Sequence, residues 1–392
     1  LTLTRAAWIE INLDKLVNNI KSIKSLVNEN TLIISVVKSN AYGFGVETIV
    51  ETIHDIGINH FAVATLNEAI KLRNKFNSID ILVLGYTPNY LFKDAVKNDI
   101  ALTIFDKKSA EELNTTASLI NKKITVHLAI ETGMNRIGFN ADEESLKIIQ
   151  DISKRKNLYI EGIFSHFAAA GENDEYTQMQ YKRFIDFCNK LADMGINIPI
   201  KHICNSHAII SYKEYNLDAI RPGIIQYGDT DGLESRFEGF NIEYIAEVKA
   251  EVSHIKKIKK GERVSYGLKY EAPKDTTIAT IPIGYSDGIV RQLSGKIDVL
   301  IKGRRCPQVG VICMDQMMVN VEGVDCEVGD EVVIVGSQGE ERIDVSELAQ
   351  KAGEVVTSFG CHFSDRLPKV YIKNNQKFKL IDYTQGYTEY LY

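Results

Sequence analysis

Over the first 228 positions the hydrophobic residues fall in short unbroken runs rather than in strict alternation. Ile33–Lys38, Phe61–Thr65, Ile81–Tyr86, Ala101–Phe105, Thr125–Ile130, Ile160–Phe167, Lys201–Ser206 and Ala219–Gly228 have strand length and are rich in β-branched side chains. Between them apolar positions recur at helical spacing, as in Val46–Ile56, Leu66–Phe76, Lys108–Ile120 and Tyr176–Met194. A strand that is apolar throughout is covered on both faces, the signature of a parallel sheet wrapped by helices. Eight such units predict a closed (β/α)8 TIM barrel, with its chemistry at the C-terminal ends of the strands. An open doubly wound sheet is the competing arrangement, but no GxGxxG follows the first strand.

After Gly228 the pattern changes. Val248–His254, Thr277–Ile283, Asp298–Lys302, Gln308–Cys313, Met317–Val321 and Glu331–Val335 read as strands separated by Gly, Asp and Lys turns, and only Val345–Ala352 reads as a helix. The expected organisation is an N-terminal barrel over 13–240 and a mostly β domain over 241–392. The opening strand within 1–12, around Trp8–Leu13, is expected to pair onto the second domain. The basic stretch His254–Arg263 reads as the solvated face of a hairpin.

Composition narrows the function classes. The 392 residues carry 46 Lys+Arg against 52 Asp+Glu, a formal charge of -6, and there is no basic arm, which argues against nucleic-acid binding. No apolar run is long enough to span a bilayer. Six cysteines without a CxxC pair read as reduced thiols of a cytoplasmic protein, and they make no metal site. His202 and His207 match no strong ligand spacing and read as structural.

The first apolar run ends in Lys38. A lysine at the end of a buried barrel strand sits where its amine is desolvated and its pKa lowered, as Schiff-base chemistry requires, although a lone lysine there commonly just reaches solvent. Its neighbours change the weighting. Val36-Val37-Lys38-Ser39-Asn40-Ala41-Tyr42-Gly43 closely resembles the pyridoxal-phosphate lysine motif of the alanine racemase family. Seven further segments resemble that family's in the same order: Thr132–Gly138, Ser165–Ala168, Cys204–Ser206, Arg221–Ile224, Val264–Gly267, Ile283–Gly288 and Ile312–Gln316. The resemblance runs from Arg5 to about Tyr371, and the family's barrel-plus-β architecture agrees with the pattern above.

The resemblance implies a racemase acting on a small amino acid, with alanine leading, and supplying D-amino acids for cell-wall peptidoglycan. It implies that Lys38 holds pyridoxal 5'-phosphate covalently and serves as base on one face of the substrate Cα. Tyr266, from the partner subunit of a homodimer with composite sites, serves the other face. Racemisation removes a proton from one face and returns it to the other, so two flanking bases suit it. A phenol titrates near pH 10 when unperturbed, so a cation beside Tyr266 is expected, with His166 and Arg136 in that role. Arg136 also resembles the group that orients the substrate carboxylate. Arg221 resembles the arginine facing the pyridine nitrogen, where a carboxylate would instead protonate the ring and deepen its electron sink. Tyr42, Asn205, Ser206 and the amides of Gly223 and Ile224 are implied on the cofactor side, and Met314, Tyr285, Asp315 and Thr357 on the substrate side. Cys313 is given no nucleophilic role.

Several positions depart from the family's pattern. Phe44 replaces a usual His, Ala129 stands where many members carry a lysine steadying Arg136, and Gly171 and Val311 differ in the substrate entry corridor. Thr357 falls where alanine racemases usually carry a Tyr against the substrate side chain. One methylene in an apolar pocket is worth only about 1–3 kcal/mol, so this exchange makes serine or a longer amino acid a competing substrate. Serine racemases with a membrane domain contain a domain of this family, so a membrane domain preceding Leu1 is a further expectation. A decarboxylase on a related architecture is disfavoured by Arg221. A nonenzymatic cofactor carrier would leave Tyr266 and Met314 without a use.

Overall fold

The computed structural model describes residues 3–230 and 239–390. They divide into two compact units. One comprises Val17–Ala41 and Val46–Glu243, the other the described parts of Leu1–Leu16, Tyr42–Gly45 and Tyr244–Tyr392.

The first unit is a closed parallel barrel with the expected eight strands. In chain order they are Leu32–Val36, His60–Val63, Asp80–Val83, Ala101–Ile104, Ile124–Glu131, Leu158–Phe164, Ile200–His202 and Ala219–Ile220. Each pairs in parallel with its neighbours; the fourth pairs the fifth, and the eighth returns to the first through Ala219↔Leu32 and Ile220↔Ile33. The unbroken apolar runs are buried as their composition demands, with Phe61, Ala62 and Val63 fully so. The amphipathic helices Val46–Asp55, Leu66–Lys75, Lys107–Leu119 and Asp174–Asp193 follow strands one, two, four and six. All the strands but the fifth end earlier than the sequence predicts. The first stops at Val36 rather than Lys38, and the eighth spans two residues before Arg221 and Pro222 break the ladder.

Strand six is irregular. Opposite strand five its register slips, Val126 pairing Ile160 while His127 pairs Gly162, so Glu161 is the extra residue of a β-bulge.

The second unit is mostly β. The strand Ala7–Asn12 lies between Ala246–Glu251, antiparallel with Ile9↔Val248, and Lys369–Lys373, parallel with Ile9↔Lys369. Some details depart from expectation. Lys302 and Gly303 both have positive φ (50° and 71°), forming a two-residue turn between Asp298–Ile301 and Arg304–Val309. That hairpin places the second strand four residues before the sequence-based run Gln308–Cys313. A short helix, Val356–Gly360, also follows the expected Val345–Ala352. The basic run His254–Ile258 is an edge strand with its lysines exposed, a common guard against edge pairing.

One buried ion pair ties the chain's start to this unit. Arg5 donates to both carboxylate oxygens of Asp287 (2.6 and 2.8 Å), and Asp287 is fully buried. Removing one partner of a buried pair costs about 3–5 kcal/mol, of which Arg366, 3.5 Å from the same carboxylate, offsets a part. Arg5→Ala is therefore expected to lower unfolding free energy by about 3 kcal/mol in urea titration; an unchanged midpoint would show the pair to be dispensable.

Candidate active site

The chain leaves the first barrel strand through an unusual turn. Lys38 is half-buried, and Ser39, Asn40, Ala41 and Tyr42 all adopt left-handed backbone, with φ between 54° and 55°. Such a conformation costs an L-residue roughly 1–2 kcal/mol, so four in succession need external support. The Ser39 N–H donates to Glu68 Oε1 (2.6 Å), Ala41 N–H to the Val37 carbonyl (3.0 Å), and Val46 N–H to Asn40 Oδ1 (2.9 Å). The other oxygen of Glu68 accepts from the amides of Ala64 and Thr65 (2.9 and 3.1 Å), completing a capping box at the start of helix Leu66–Lys75. One carboxylate thus joins a helix cap to the turn that presents Lys38. Tyr42 is buried, and desolvation raises its phenol above the ordinary value, leaving a neutral hydroxyl. Phe44 is buried edge-on against Tyr244, with ring centroids 6.0 Å apart.

Arg221 follows the eighth strand and is 4% exposed. It donates to His202 Nδ1 (2.6 Å), the Ser165 carbonyl (2.7 Å), the Ile203 carbonyl (3.1 Å) and His166 Nδ1 (3.3 Å), and its guanidinium lies 5.2 Å over the Phe164 ring. None of these hydrogen-bond partners is a carboxylate. Burial pulls the Arg221 pKa down to about 10, which leaves it a cation at neutral pH. Because guanidinium only donates, both histidines accept through Nδ1 and carry their hydrogen on Nε2. Burial first, then Arg221, Arg136 and Lys38, hold His166 well below the ordinary histidine range. His166 is therefore a neutral imidazole, which differs from its expected role as a cation. His202, read from sequence as merely structural, is a direct partner of Arg221.

Beside Arg221 two short helical starts meet. Asn205 Oδ1 accepts from Ala208 N–H (3.0 Å) and caps helix Ser206–Ser211. The buried Ser206 hydroxyl accepts from Gly223 N–H (3.0 Å), and a 3-10 turn begins at Ile224. A hydroxyl between the first amides of two helical segments is suited to an anion.

Arg136 lies on the exposed loop after strand five, which ends at Glu131. Sequence reasoning left open what steadies Arg136 with Ala129 in place of a lysine, and it passed over Glu131. The Glu131 carboxylate accepts from Gly133 N–H (2.5 Å) and Arg136 N–H (3.1 Å). Amides of Asn135, Gly133, Arg136 and Met134 together outweigh the effect of burial and lower its pKa. Tyr176 adds a 2.6 Å bond to the Gly133 carbonyl, and Gln180 grips the His166 carbonyl (3.0 Å) and the Ala168 amide (2.9 Å). The only signal in the sequence was an acid two residues before a glycine turn.

The β unit presents its own set. Tyr266 is 67% exposed and opens a single 3-10 turn, behind Ser265 at φ 68°, whose hydroxyl donates to the Val311 carbonyl (2.6 Å). Met314 and Tyr285 are also exposed, and the two segments are laced by Tyr285 N–H to Cys313 O (3.1 Å) and Ser286 N–H to Met314 O (3.1 Å). A Cβ at Gly284 would stand 2.3 Å from the Cys313 carbonyl, so only glycine permits this approach. Asp315 pairs with Arg366 (2.7 Å), Thr357 is half-buried in helix Val356–Gly360, and Val311 is buried.

The depressed pKa of Glu131 carries a stability prediction. Its contribution is complete above the unfolded-state carboxyl value and is lost as pH falls through the lower folded value. Glu131→Gln is expected to cost about 1 kcal/mol at pH 7, discounted for partial exposure. The difference from the parent should shrink towards pH 3 in chemical denaturation, and one that stays constant with pH would contradict the carboxylate's role.

The alanine racemase N-terminal domain model matches residues 11–231 and the C-terminal domain model residues 245–371. Alanine racemase 1 of Clostridium acetobutylicum is 41% identical over 97% of this chain and 98% of that protein. The solved alanine racemase of Clostridium difficile 630 superimposes with a TM-score of 0.93 at 37% identity, covering 97% of this chain and all of that one. A histidine racemase from Leuconostoc mesenteroides also matches, with a TM-score of 0.86 at 30% identity over 95% and 99% of the two chains. With two family models in order along most of its length and relatives covered nearly end to end, this chain belongs to the alanine racemase family.

Proposed function

We propose that this chain is an isomerase that interconverts L- and D-alanine with pyridoxal 5'-phosphate as cofactor. The observation that carries the reading is the buried Arg221 cation with no carboxylate among its partners, beside the Ser206–Gly223 anion cradle and in the same barrel unit as Lys38. The donor set fits the cofactor. Lys38 would hold it covalently, and Tyr42, Asn205, Ser206 and the amides of Gly223 and Ile224 would hold its phosphate. Arg221 would face its ring nitrogen. When bound, the cofactor supplies an electron-accepting ring that acidifies the Cα–H of an amino acid. Arg221 there would keep that ring unprotonated, which would limit charge delocalisation and disfavour competing bond cleavages such as decarboxylation.

The chain's own groups then move the proton. Lys38 Nζ exchanges it on one face of Cα and the Tyr266 phenol of a partner subunit on the other, in a homodimer. With His166 neutral, the cation that makes a phenol a workable base is Arg136, while His166 offers an Nε2–H donor. Arg136 and the Met314 amide orient the substrate carboxylate, and Tyr285, Asp315 and Thr357 line the substrate side. The named relatives favour alanine over serine as substrate. Among the described residues no helix is long and apolar enough to cross a membrane. The cysteine usage supports a cytoplasmic location.

Cα–H exchange in D2O with added pyridoxal phosphate is expected to be faster for alanine than for serine; the reverse order would make Thr357 the specificity switch and overturn the substrate assignment. Tyr266→Phe is expected to keep the cofactor's absorbance and lose exchange from one enantiomer by at least about 100-fold. Unchanged exchange from both enantiomers would remove Tyr266 from the mechanism, and a fully active monomer in sedimentation would remove the partner subunit.

A further inference from the structure

The hydrogen bond from Arg221 to His202 does not end there. His202 Nε2 meets His127 Nδ1 at 2.9 Å, and His127 Nε2 meets Glu161 Oε2 at 3.2 Å. Both imidazoles are buried, 0% and 3% exposed, whereas the Glu161 side chain is one-third exposed. The chemistry at the Arg221 end fixes every bond in the series. Guanidinium can only donate, so His202 accepts at Nδ1 and must donate from Nε2. His127 therefore accepts at Nδ1 and donates from Nε2, and an acceptor has to stand at the far end. Glu161 is that acceptor.

Two local features exist for this arrangement. The bulge in strand six sets Glu161 outside the regular pairing opposite His127. Gly162 then leaves room for the ring: a Cβ there would stand 2.2 Å from His127 Nδ1. Phe164 stacks on His202, centroids 5.0 Å apart, and holds it from the other side. The charged and titratable groups around the series include His60, which pairs with Asp80 at 3.4 Å and acts on both His127 and Glu161, together with Arg221, Cys204, His166, Arg136 and Lys38 at the inner end. Burial holds both imidazoles of the series below the ordinary range, while the hydrogen bond from His127 lowers Glu161. At neutral pH the series runs from a buried cation through two neutral rings to a carboxylate at the solvent edge.

We infer that Glu161 is a positioning residue for Arg221, acting through His127 and His202: it terminates a one-directional hydrogen-bond series that sets the orientation of the guanidinium. The link to catalysis rests on the proposed cofactor site, but the wiring does not.

The test is histidine ring NMR on 15N-histidine-labelled full chain, before and after addition of pyridoxal phosphate, joined to kinetics. His127 and His202 are expected to be neutral with hydrogen on Nε2 in both states. Glu161→Leu is expected to disturb the signals of both rings, to shift the pH profile of the bound cofactor's absorbance, and to lower kcat about tenfold with little change in KM. Glu161→Gln retains an accepting oxygen and is expected to restore both tautomers and most of kcat. The inference is overturned if His202 carries its hydrogen on Nδ1. It is equally overturned if Glu161→Leu leaves both rings and kcat as in the parent, or if Glu161→Gln behaves like the leucine variant. Should the leucine variant not fold, the parent tautomers and the glutamine variant still decide. A chain wired as described in a protein that binds no pyridoxal phosphate would reject the cofactor reading alone.

Discussion

A buried positive charge with no carboxylate against it is the constraint around which the barrel's polar interior is arranged. Arg221 is 4% exposed, and moving such a group out of water costs several kcal/mol unless its donors are met. The molecule meets them with two carbonyls and two imidazoles instead of a counter-ion. A carboxylate would have been the stronger partner. Its absence leaves the cation available to something else, which under the proposed function is the ring nitrogen of a cofactor. The same arrangement requires neutral histidines, since a second cation beside Arg221 would compound the cost. Burial and the Arg221 charge together keep His166 and His202 in that state.

Three carboxylates elsewhere in the chain serve the backbone instead. Glu68 bonds the left-handed turn after Lys38, Glu131 gathers the amides of the Arg136 loop, and Asp287 closes the Gly284–Gly288 loop through Gly284 N–H (3.0 Å). Each holds a segment that local preference alone would not maintain. Four consecutive left-handed residues are the plainest case, because no propensity favours them. The loops that carry the proposed site residues are thus held by acids bonded to backbone amides.

Much of this was legible in the sequence. Unbroken β-branched runs alternating with amphipathic stretches fixed a parallel barrel, because an alternating pattern would have left one sheet face polar. Lys38, Arg136, His166, Ser206 and Arg221 stood out only through the segments around them; singly, each has a bland explanation. What escaped was long-range. Nothing in the local sequence pairs Glu68 with Ser39, or Glu161 with His127 and, through it, His202 on other strands, since those contacts exist only once the barrel closes. The bulge at Glu161 and the Lys302–Gly303 turn shift register by small steps that hydrophobic pattern does not resolve. The neutral state of His166 depends on its burial beside Arg221, which no motif records.

A crystal structure of the full chain with pyridoxal phosphate bound would test the central claim most directly. The account predicts a covalent link to Lys38 Nζ, with an Arg221 nitrogen about 3 Å from the ring nitrogen and no carboxylate within hydrogen-bonding reach of it. A link to another lysine, or an acid side chain swung onto the ring nitrogen, would contradict it.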